Sequence, residues 1–510
     1  MKKKSIPVLA LALTGVLATG CLAACGKGGN DQGEVILPET PITEQVDINF
    51  WGWGSPAEEA NYRTLVQQFM AEPGNENINV NYTCTTGDSA YLSKLEGAKT
   101  NPPDLFLLPD YEFYGYVADG MLRDISGYVT EAELATVWPE AVNLYYYNDD
   151  TLLLGKSEDA KLYGLPKDLG PFTLVYNKTL LDQQIEKNNL DKEEIYSTYL
   201  NPKNPMRFEQ FRTLLKELVS GLGADQYGLS HYEVLAALYS NNADFFNAGA
   251  ETSRITEKVF TDALQFAANL GIPTAQGGDG VMTPEEKQAD TDGFTRFQGG
   301  NIIFSFMGPW NAADFWSLVG DKFESNILPV PYGPGADGEY GTADDGSSTA
   351  WVGSMAYCVS SNRKTNGVKA QAAMRLAKYL SMNENAQRKF YELGQQVPNI
   401  VSMAQNEYKN DTLDLLKVKD GEGNVVREKD PVDRSVWLDT IDGTSATDKI
   451  GGKTRAHYYT YSSGWYTDFT TYLGDEGLWK GDKTAVDICK AYNGILQGKL
   501  NTMREELGIA

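Results

Sequence analysis

The chain has 510 residues, more than one hydrophobic core usually serves, so two lobes or domains are expected. Its formal net charge of −25 excludes a nucleic-acid partner and electrostatic attachment to anionic lipid, because such a surface repels phosphate groups. Five cysteines and two histidines, His231 and His457, are too sparse for a disulfide framework, zinc chemistry or a histidine-based catalytic relay.

The amino terminus has the pattern of an export signal. Three lysines at Lys2–Lys4 precede an apolar stretch over residues 6–18. Small residues then lead to Leu22-Ala23-Ala24-Cys25, which resembles a bacterial lipobox; this resemblance implies a diacylglycerol on Cys25, with Cys21 as a second candidate. The alternative is a transmembrane helix, but the apolar run is shorter than the roughly 20 residues that cross a bilayer.

The next segment predicts a tether followed by a strand-loop-helix unit. Residues 26–44 are rich in glycine, proline and acidic side chains, which favours a flexible linker. Residues 45–53 alternate as a β-strand does. Ser55 is the expected N-cap of a helix that has Pro56 at its first position, and one helical face follows at Tyr62, Leu65, Val66 and Phe69.

This alternation of strand and helix continues along the chain. We expect strands at 78–83, 103–108 and 301–307, and a helix at 90–99. Alternation at this spacing predicts an α/β sheet with helices on its faces. Three further helices are predicted from apolar stripes at Phe208, Phe211, Leu215 and Leu218, at Ala373, Leu376, Ala377 and Leu380, and at Ala485, Ile488, Cys489 and Tyr492.

Several short motifs, in order, resemble one family of binding proteins. They are Asp104-Leu105-Phe106 before Asp110, Tyr163 to Lys167 followed by Leu174 to Lys178, and Phe297-Gln298-Gly299-Gly300 before Met307-Gly308-Pro309-Trp310. Together they resemble the extracellular solute-binding proteins of family 1, the carbohydrate receptors of ABC importers. The resemblance runs from about Val46 to about Ile509.

The carboxyl-terminal half continues this resemblance. Residues 351–359 are similar to the strand that re-enters the first lobe, 373–388 to the helix after it, and 394–398 to a Gly-x-x-x-Pro motif. Residues 461–465 look like the late segment that carries a sugar-stacking tryptophan. The resemblance therefore implies that Trp310 and Trp465 face a ligand from one lobe.

The implied fold is α/β, a two-lobe periplasmic-binding-protein-like (type II) fold with a hinge and a ligand cleft between the lobes. We assign 1–24 to the signal peptide, 25–44 to the tether, 45–165 and 350–445 to lobe 1, 166–331 and 446–510 to lobe 2, and 332–349 to a Gly- and Asp-rich crossing loop.

A pyranose has an apolar C–H face that an indole can cover and a rim of hydroxyls that carboxylates and amides can bind. The ligand-binding candidates are Trp53, Ser55, Asp88, Asp110, Tyr111, Asp168, Tyr232, Trp310, Trp351 and Trp465. The family often has a tryptophan where this chain has Leu108-Pro109, so Tyr111 or Tyr114 is the aromatic candidate there. For His231 a structural role is favoured.

Each candidate has a structural alternative. The tryptophans and Tyr232 are also suited to a hydrophobic core, and Trp53 to packing under its own loop. Asp88 is equally suited to capping a helix. Asp168 and the Gly170-Pro171 turn lie where the chain first crosses between lobes, so they are either hinge or ligand contacts.

Two other motifs suggest a ligand different from a saccharide. Residues 52–57 fit the GxGxxG/A dinucleotide fingerprint, but Trp53 inside the loop would obstruct a pyrophosphate. The acidic loop offers Asp337, Asp344 and Asp345 as calcium ligands, but the spacing of an EF-hand is absent, which favours a solvated loop. No cofactor and no resident metal are expected.

The sequence thus predicts a non-catalytic, lipid-anchored receptor on the outer face of the membrane. It would bind an oligosaccharide between its lobes and deliver it, as a monomer, to the transmembrane subunits of an ABC permease. One alternative is a cell-surface glycoside hydrolase, which needs two facing carboxylates about 5 to 9.5 Å apart. Another is the same fold carrying a peptide, polyamine or metal chelate.

Overall fold

The computed structural model describes residues 40–284, 293–312, 322–410, 417–428, 433–443, 449–454, 461 and 464–509. The predicted signal peptide, Cys21, Cys25, most of the tether and His457 lie outside these residues. Within them, no helix combines the length and apolar character needed to cross a bilayer. Cys84, Cys358 and Cys489 are free thiols.

The strands are short and recur along the chain. They are β1 Val46–Trp53, β2 Ile78–Thr85, β3 Leu105–Pro109, β4 Tyr146–Asn148, β5 Leu153–Leu154, β6 Lys161–Leu162, β7 Leu165–Pro166, β8 Gly170–Pro171, β9 Thr173–Asn177, β10 Tyr227–Leu229, β11 Ile302–Met307, β12 Ser325–Leu328, β13 Ser348–Gly353, β14 Met355–Val359, β15 Lys417–Lys419, β16 Val425–Glu428 and β17 Ile450–Thr454.

The helices fill the connections between them. They are α1 Pro56–Ala71, α2 Asp88–Gly97, α3 Asp110–Ala118, α4 Glu131–Leu134, α5 Pro139–Asn143, α6 Lys178–Lys187, α7 Lys192–Glu194, α8 Phe208–Val219, α9 Val234–Tyr239, α10 Lys258–Gly271, α11 Gly293–Gln298, α12 Gly367–Met382, α13 Glu384–Glu392, α14 Val401–Met403, α15 Ser435–Asp442, α16 Gly464–Asp475 and α17 Ala485–Leu507.

The first lobe is built on a five-stranded sheet in the order β2-β1-β3-β14-β7. Strands β1, β2 and β3 are parallel, and β14 runs antiparallel to β3. Helices α1 and α12 pack on this sheet. The predicted strand-loop-helix unit is confirmed, because Ser55 caps α1, Pro56 is its first residue and the predicted face at Tyr62, Leu65, Val66 and Phe69 is buried.

The second lobe is built on a four-stranded sheet in the order β10-β11-β9-β12, with α6 packed on β11 and α8 on β10. In this sheet β10 and β11 are parallel, and β9 is antiparallel to β11 and β12. The apolar stripes predicted for α8 and α17 are buried as expected.

A three-stranded sheet, β17-β13-β8, joins the two lobes. Pro171 of β8 pairs with Val352 of β13, and β13 pairs along its length with β17. The chain therefore crosses between the lobes on hydrogen-bonded strands, which is the two-lobe architecture that the sequence predicts.

Two predicted elements are wrong in detail. The single helix expected over 373–388 is two helices, because Asn383 has an extended backbone and its side chain accepts from the first amides of α13. The single strand expected over 351–359 is divided at Ser354 into β13, which joins the crossing sheet, and β14, which enters the first sheet.

The lobe boundaries remain predictions. Residues 435–442, which they assign to lobe 1, form α15, and the indole Nε1 of Trp437 in this helix donates to the hydroxyl of Thr173 in β9, at 2.9 Å. This contact lies on the second lobe's sheet.

Candidate functional site

The carboxyl ends of β1, β2 and β3 meet at one edge of the first sheet, because the three strands are parallel. Trp53 ends β1 opposite Thr85 of β2, and Asp110 directly follows β3. In open α/β sheets this edge presents the ligand-binding loops. Side chains in the loops at this edge are therefore suited to contact a ligand.

Three sequence candidates lie along this edge. Trp53 is half-buried, and its ring centroid is 4.7 Å from that of Tyr91. The Ser55 hydroxyl accepts from the amide of Glu58, whose carboxylate accepts from the amide of Ser55 in return. Asp88 is exposed at the start of α2 and accepts from the amide that follows it. Ser55 thus caps α1, whereas the Asp88 carboxylate is the first side chain of α2 and makes no capping hydrogen bond to it, and part of the Trp53 ring stays accessible.

Asp110 and Asp168 are brought together by Ser354, the residue between β13 and β14. The amide of Asp110 donates to the Ser354 carbonyl at 3.0 Å, and the Ser354 hydroxyl donates to the Asp168 carbonyl. Tyr145 donates its hydroxyl to Ser354 at 2.7 Å. Burial and the nearby carboxylate charges hold the pKa of Tyr145 well above its ordinary value. Tyr111, half-buried, follows Asp110 in α3.

Asp168 forms a buried ion pair at the crossing between the lobes. Its Oδ2 lies 2.9 Å from Nζ of Lys167, and the two side chains are 12% and 3% exposed. Its Oδ1 accepts from the amide of Met355 at 3.1 Å. Burial opposes the charged form of Lys167, but the neighbouring carboxylate holds its pKa above the ordinary value. Sequence analysis did not identify Lys167 as a site residue.

Phe172, Trp310 and Trp351 form an aromatic platform beside this ion pair. The rings of Trp310 and Phe172 lie 5.7 Å apart and only 6° from parallel, and Phe172 and Trp351 stack at 4.9 Å. Trp310 also lies 5.7 Å from Trp351. Trp310 is 37% exposed, whereas its two partners are half-buried. The Trp310 indole of the platform is thus accessible to solvent and is held in place by stacking on Phe172.

The elements explain how these rings meet. Trp310 follows β11 in the short turn Pro309–Asn311, Trp351 lies on β13, and Phe172 lies between β8 and β9. The amide of Phe172 donates to the carbonyl of Trp351 at 3.0 Å. The platform is therefore built on the strands that join the lobes. Sequence analysis missed Phe172, although the Gly170-Pro171 turn before it was a signal.

Two candidates lie elsewhere in lobe 2. Trp465 is 2% exposed, and its ring packs against Phe245 and Phe246 at 5.2 and 4.8 Å. Tyr232 is 3% exposed and packs edge-on against Phe306 and Phe266. The described ring contacts place neither residue on the platform, and a ligand role for either one stays a prediction.

His231, beside Tyr232, is more accessible than a core histidine. Its side chain is 39% exposed, and its Nε2 lies 3.9 Å from a carboxylate oxygen of Glu233. The ring of Phe306 is 6.2 Å away. This exposure is compatible with contact to a ligand as well as with the structural role that the sequence favours.

In the acidic loop, the carboxylates of Asp337 and Asp345 accept hydrogen bonds from the protein itself. Asp345 accepts from the amide of Gly341 and pairs with Nζ of Lys449 at 3.3 Å. Although burial opposes it, these groups lower the pKa of Asp345. Asp337 accepts from the amide two residues on, and the carbonyl of Asp344 accepts from Asn242. Over the described part of the chain, no cluster of three acidic, histidine or cysteine side chains is arranged to hold a metal.

A cavity of about 790 Å³ lies on lobe 1, away from the platform. It is lined near Ile42, Phe69 and Tyr379, at the end of the sheet where β1 and β2 begin. Its cations are engaged, since Arg375 donates to the Gly74 carbonyl and Lys378 pairs with Glu133. The platform is the candidate site, because it presents an exposed indole next to the strands that cross between the lobes.

Solved structures share the fold over most of the chain. An ABC substrate-binding protein from Listeria monocytogenes, in complex with cycloalternan, superposes with a TM-score of 0.62 at 16% identity, covering 92% of this chain and 100% of that one. A cyclic alpha-maltosyl-1,6-maltose binding protein from Arthrobacter globiformis gives 0.62 at 16% identity, covering 90% and 100%. A sugar-binding protein from Xanthomonas citri gives 0.62 at 17% identity, covering 91% and 100%.

A relative found by sequence is a galactooligosaccharide-binding protein of Bacillus subtilis (strain 168). It is 23% identical over 316 residues, which are 61% of this chain and 63% of that relative. The model of the family described as bacterial extracellular solute-binding protein matches residues 64–418, well over half of the chain. The resemblance drawn from the short motifs is confirmed, and the chain belongs to the bacterial extracellular solute-binding proteins.

Proposed function

We propose that this protein is the receptor of an ABC importer for an oligosaccharide, which it binds in the cleft between its lobes. The observation that carries the proposal is the Trp310 indole, held parallel to Phe172 and left 37% exposed at the crossing strands. A large aromatic plane that remains in water is suited to the apolar C–H face of a pyranose.

Other candidate residues lie at the sheet edge of lobe 1 and at the crossing between the lobes, and their polar groups suit the hydroxyl rim of the same ligand. Asp110, Tyr111 and Trp53 lie at the sheet edge of lobe 1, and Asp168 lies at the crossing. We propose that these four residues, with Trp310 and Trp351, contact the saccharide. Ser55, Tyr232 and Trp465 are weaker candidates, because Ser55 caps α1 and the other two rings are packed among aromatic side chains of lobe 2. Asp88 is exposed at the same sheet edge and stays a candidate.

The relatives support this class of ligand. The Bacillus subtilis relative is described as binding galactooligosaccharide, and the Listeria structure holds cycloalternan. Saccharides of several units therefore recur among proteins similar to this chain. Ligand that touches both lobes only when they meet would shift the population towards the closed state, the form delivered to the permease.

Export and anchoring belong to the same proposal. The family comprises extracellular proteins, which supports export. The lipobox-like Leu22-Ala23-Ala24-Cys25 supports a lipid anchor on Cys25. The mass of the protein isolated from membranes should then match a chain that begins at a diacylglycerol-modified Cys25, and an unmodified amino terminus would contradict the anchor.

Isothermal titration of the purified protein with a panel of oligosaccharides tests the binding function. We expect micromolar or tighter binding of at least one, without release of shorter products, since the function proposed is binding and not cleavage. Trp310→Ala should weaken that binding about 30-fold, the effect of about 2 kcal/mol at a hot spot. No binding across a broad panel would contradict the proposal.

Trp479→Ala is the matched control. Trp479 is a half-buried tryptophan in the turn Leu478–Lys480, which packs on α10. We expect its removal to leave the affinity unchanged. Equal losses for the two variants would show that the Trp310 effect is not local.

A further inference from the structure

The indole of Trp310 packs closely against two glycines. A Cβ atom at Gly170 would lie 2.5 Å from Cζ3 of the indole, and one at Gly308 would lie 2.4 Å from Cη2. Both separations are far below van der Waals contact, so a side chain at either position would displace the ring. Neither glycine has a positive φ, so closeness to the indole and not backbone conformation requires glycine here.

Gly170 belongs to β8, one of the strands that cross between the lobes. It pairs with Gly353 of β13, and the next pair is Pro171 with Val352. The Trp310 ring therefore rests on the backbone of the crossing strand itself, on the strand that also leads to Phe172.

The chain is fastened to a different lobe on each side of Gly170. Before it, the Asp168 carboxylate accepts from Met355 at the start of β14, and the Asn399 side chain donates to the Lys167 carbonyl. After it, Thr173 begins β9 of the second sheet. A change in the angle between the lobes must be absorbed in the few residues between these anchors.

We propose that Gly170 is a positioning residue that seats the Trp310 indole on the crossing strand and so couples the orientation of this stacking face to lobe closure. The coupling to ligand rests on the proposed function, because the saccharide is what stacks on the indole. The packing of the Trp310 indole on Gly170, which we call the seat, does not depend on the ligand, because it is a contact within the protein.

Gly170→Ala tests the proposal, with Gly115→Ala as the matched control. Gly115 is an exposed glycine of α3, where a Cβ would meet nothing within 4 Å. Gly170→Ala should weaken oligosaccharide binding at least about tenfold by titration calorimetry, the effect of about 1.4 kcal/mol. It should also reduce the ligand-induced fall in radius of gyration measured by small-angle X-ray scattering. Gly115→Ala should change neither, and wild-type values for Gly170→Ala would overturn the proposal.

A double-mutant cycle distinguishes the specific contact between Gly170 and Trp310 from a general loss of stability, and it needs no ligand. Gly170→Ala should lower the urea midpoint of the wild-type protein, but should cost little in a Trp310→Ala background, because the ring that needs the space is gone. Equal shifts in both backgrounds would overturn the seat. Coupling in this cycle together with no saccharide binding by the wild type would retain the seat and refute the oligosaccharide function instead.

Discussion

Solvent exposure distinguishes Trp310 from two buried tryptophans, Trp437 and Trp465. Trp310 is 37% exposed, whereas Trp437 and Trp465 are 0% and 2% exposed. A buried indole stabilises a core, while an exposed one that is held rigid offers a contact surface at little cost in side-chain entropy. Stacking on Phe172 supplies that rigidity. The proposed binding function therefore depends on one indole ring that is accessible to solvent and held rigid by its neighbours.

The Lys167–Asp168 pair gives a prediction about stability at the same scale. Asp168→Asn keeps an oxygen for the Met355 amide but leaves the buried Lys167 ammonium without its partner carboxylate. We expect a loss of about 3 kcal/mol in the free energy of unfolding, measured by equilibrium urea denaturation. The double variant Lys167→Met/Asp168→Asn should recover much of it. A single variant as stable as the wild type would show that the pair is not electrostatically coupled.

Single residues were predictable where a local motif marks them. Trp310 follows a strand in a Gly-Pro-Trp turn, and Trp351 lies in a predicted strand. The Gly170-Pro171 turn marked the position of Phe172, but its stacking could not be predicted, because Trp310 and Trp351 come from distant parts of the chain. For Trp465 a resemblance alone implied a ligand role, whereas the rings of Phe245 and Phe246 that enclose it are a tertiary effect.

At the scale of elements, the buried carboxylate of Asp279, in the segment after α10, forms ion pairs with two side chains of α8. Asp279 has no exposed side-chain surface, and its Oδ1 lies 2.8 Å from Nη2 of Arg212 and 2.6 Å from Nζ of Lys216. The two cations lie on one face of α8, at the i, i+4 spacing. Burial alone would raise the pKa of Asp279, but these cations hold it below its ordinary value.

This contact predicts a pH dependence of stability. Because the folded pKa of Asp279 is lowered, its contribution is complete above about pH 4, where an unfolded aspartate is ionised, and is lost as the pH falls through the folded pKa. Asp279→Asn should lower the free energy of unfolding by about 2 kcal/mol at pH 7. The difference from wild type should shrink steadily below about pH 4 in urea titrations. A difference that stays constant to pH 2 would contradict this account.

The periodicity of apolar residues predicted several of the elements because it reports which face of a helix or strand is buried. It does not report breaks inside a buried face. Asn383 ends one helix and caps the next within a continuous apolar pattern, and Ser354 divides one apolar run into strands of two different sheets. The break at Asn383 depends on a local cap, whereas the hydroxyl of Ser354 bonds to Tyr145 and Asp168, which come from distant parts of the chain.

At the scale of the whole molecule, the crossing strands join the lobes, and among the described residues Tyr461 links α3 with α17. The ring of Tyr461 packs edge-on against Tyr114 of α3 at 5.8 Å, and its hydroxyl accepts from Arg504 of α17. The two-lobe architecture was predictable from the order of motifs along the chain, while these interlobe contacts were not, because each joins residues of separate elements.

The most direct test of the account is a crystal structure of the protein with the oligosaccharide that binds tightest in titration. The account predicts a pyranose ring stacked on the exposed face of Trp310, with its carbons about 4 Å from the indole and its hydroxyls bonded to side chains of both lobes. A saccharide bound elsewhere, for example in the lobe 1 cavity beside Phe69 and Tyr379, with the Trp310 face left in solvent, would contradict it.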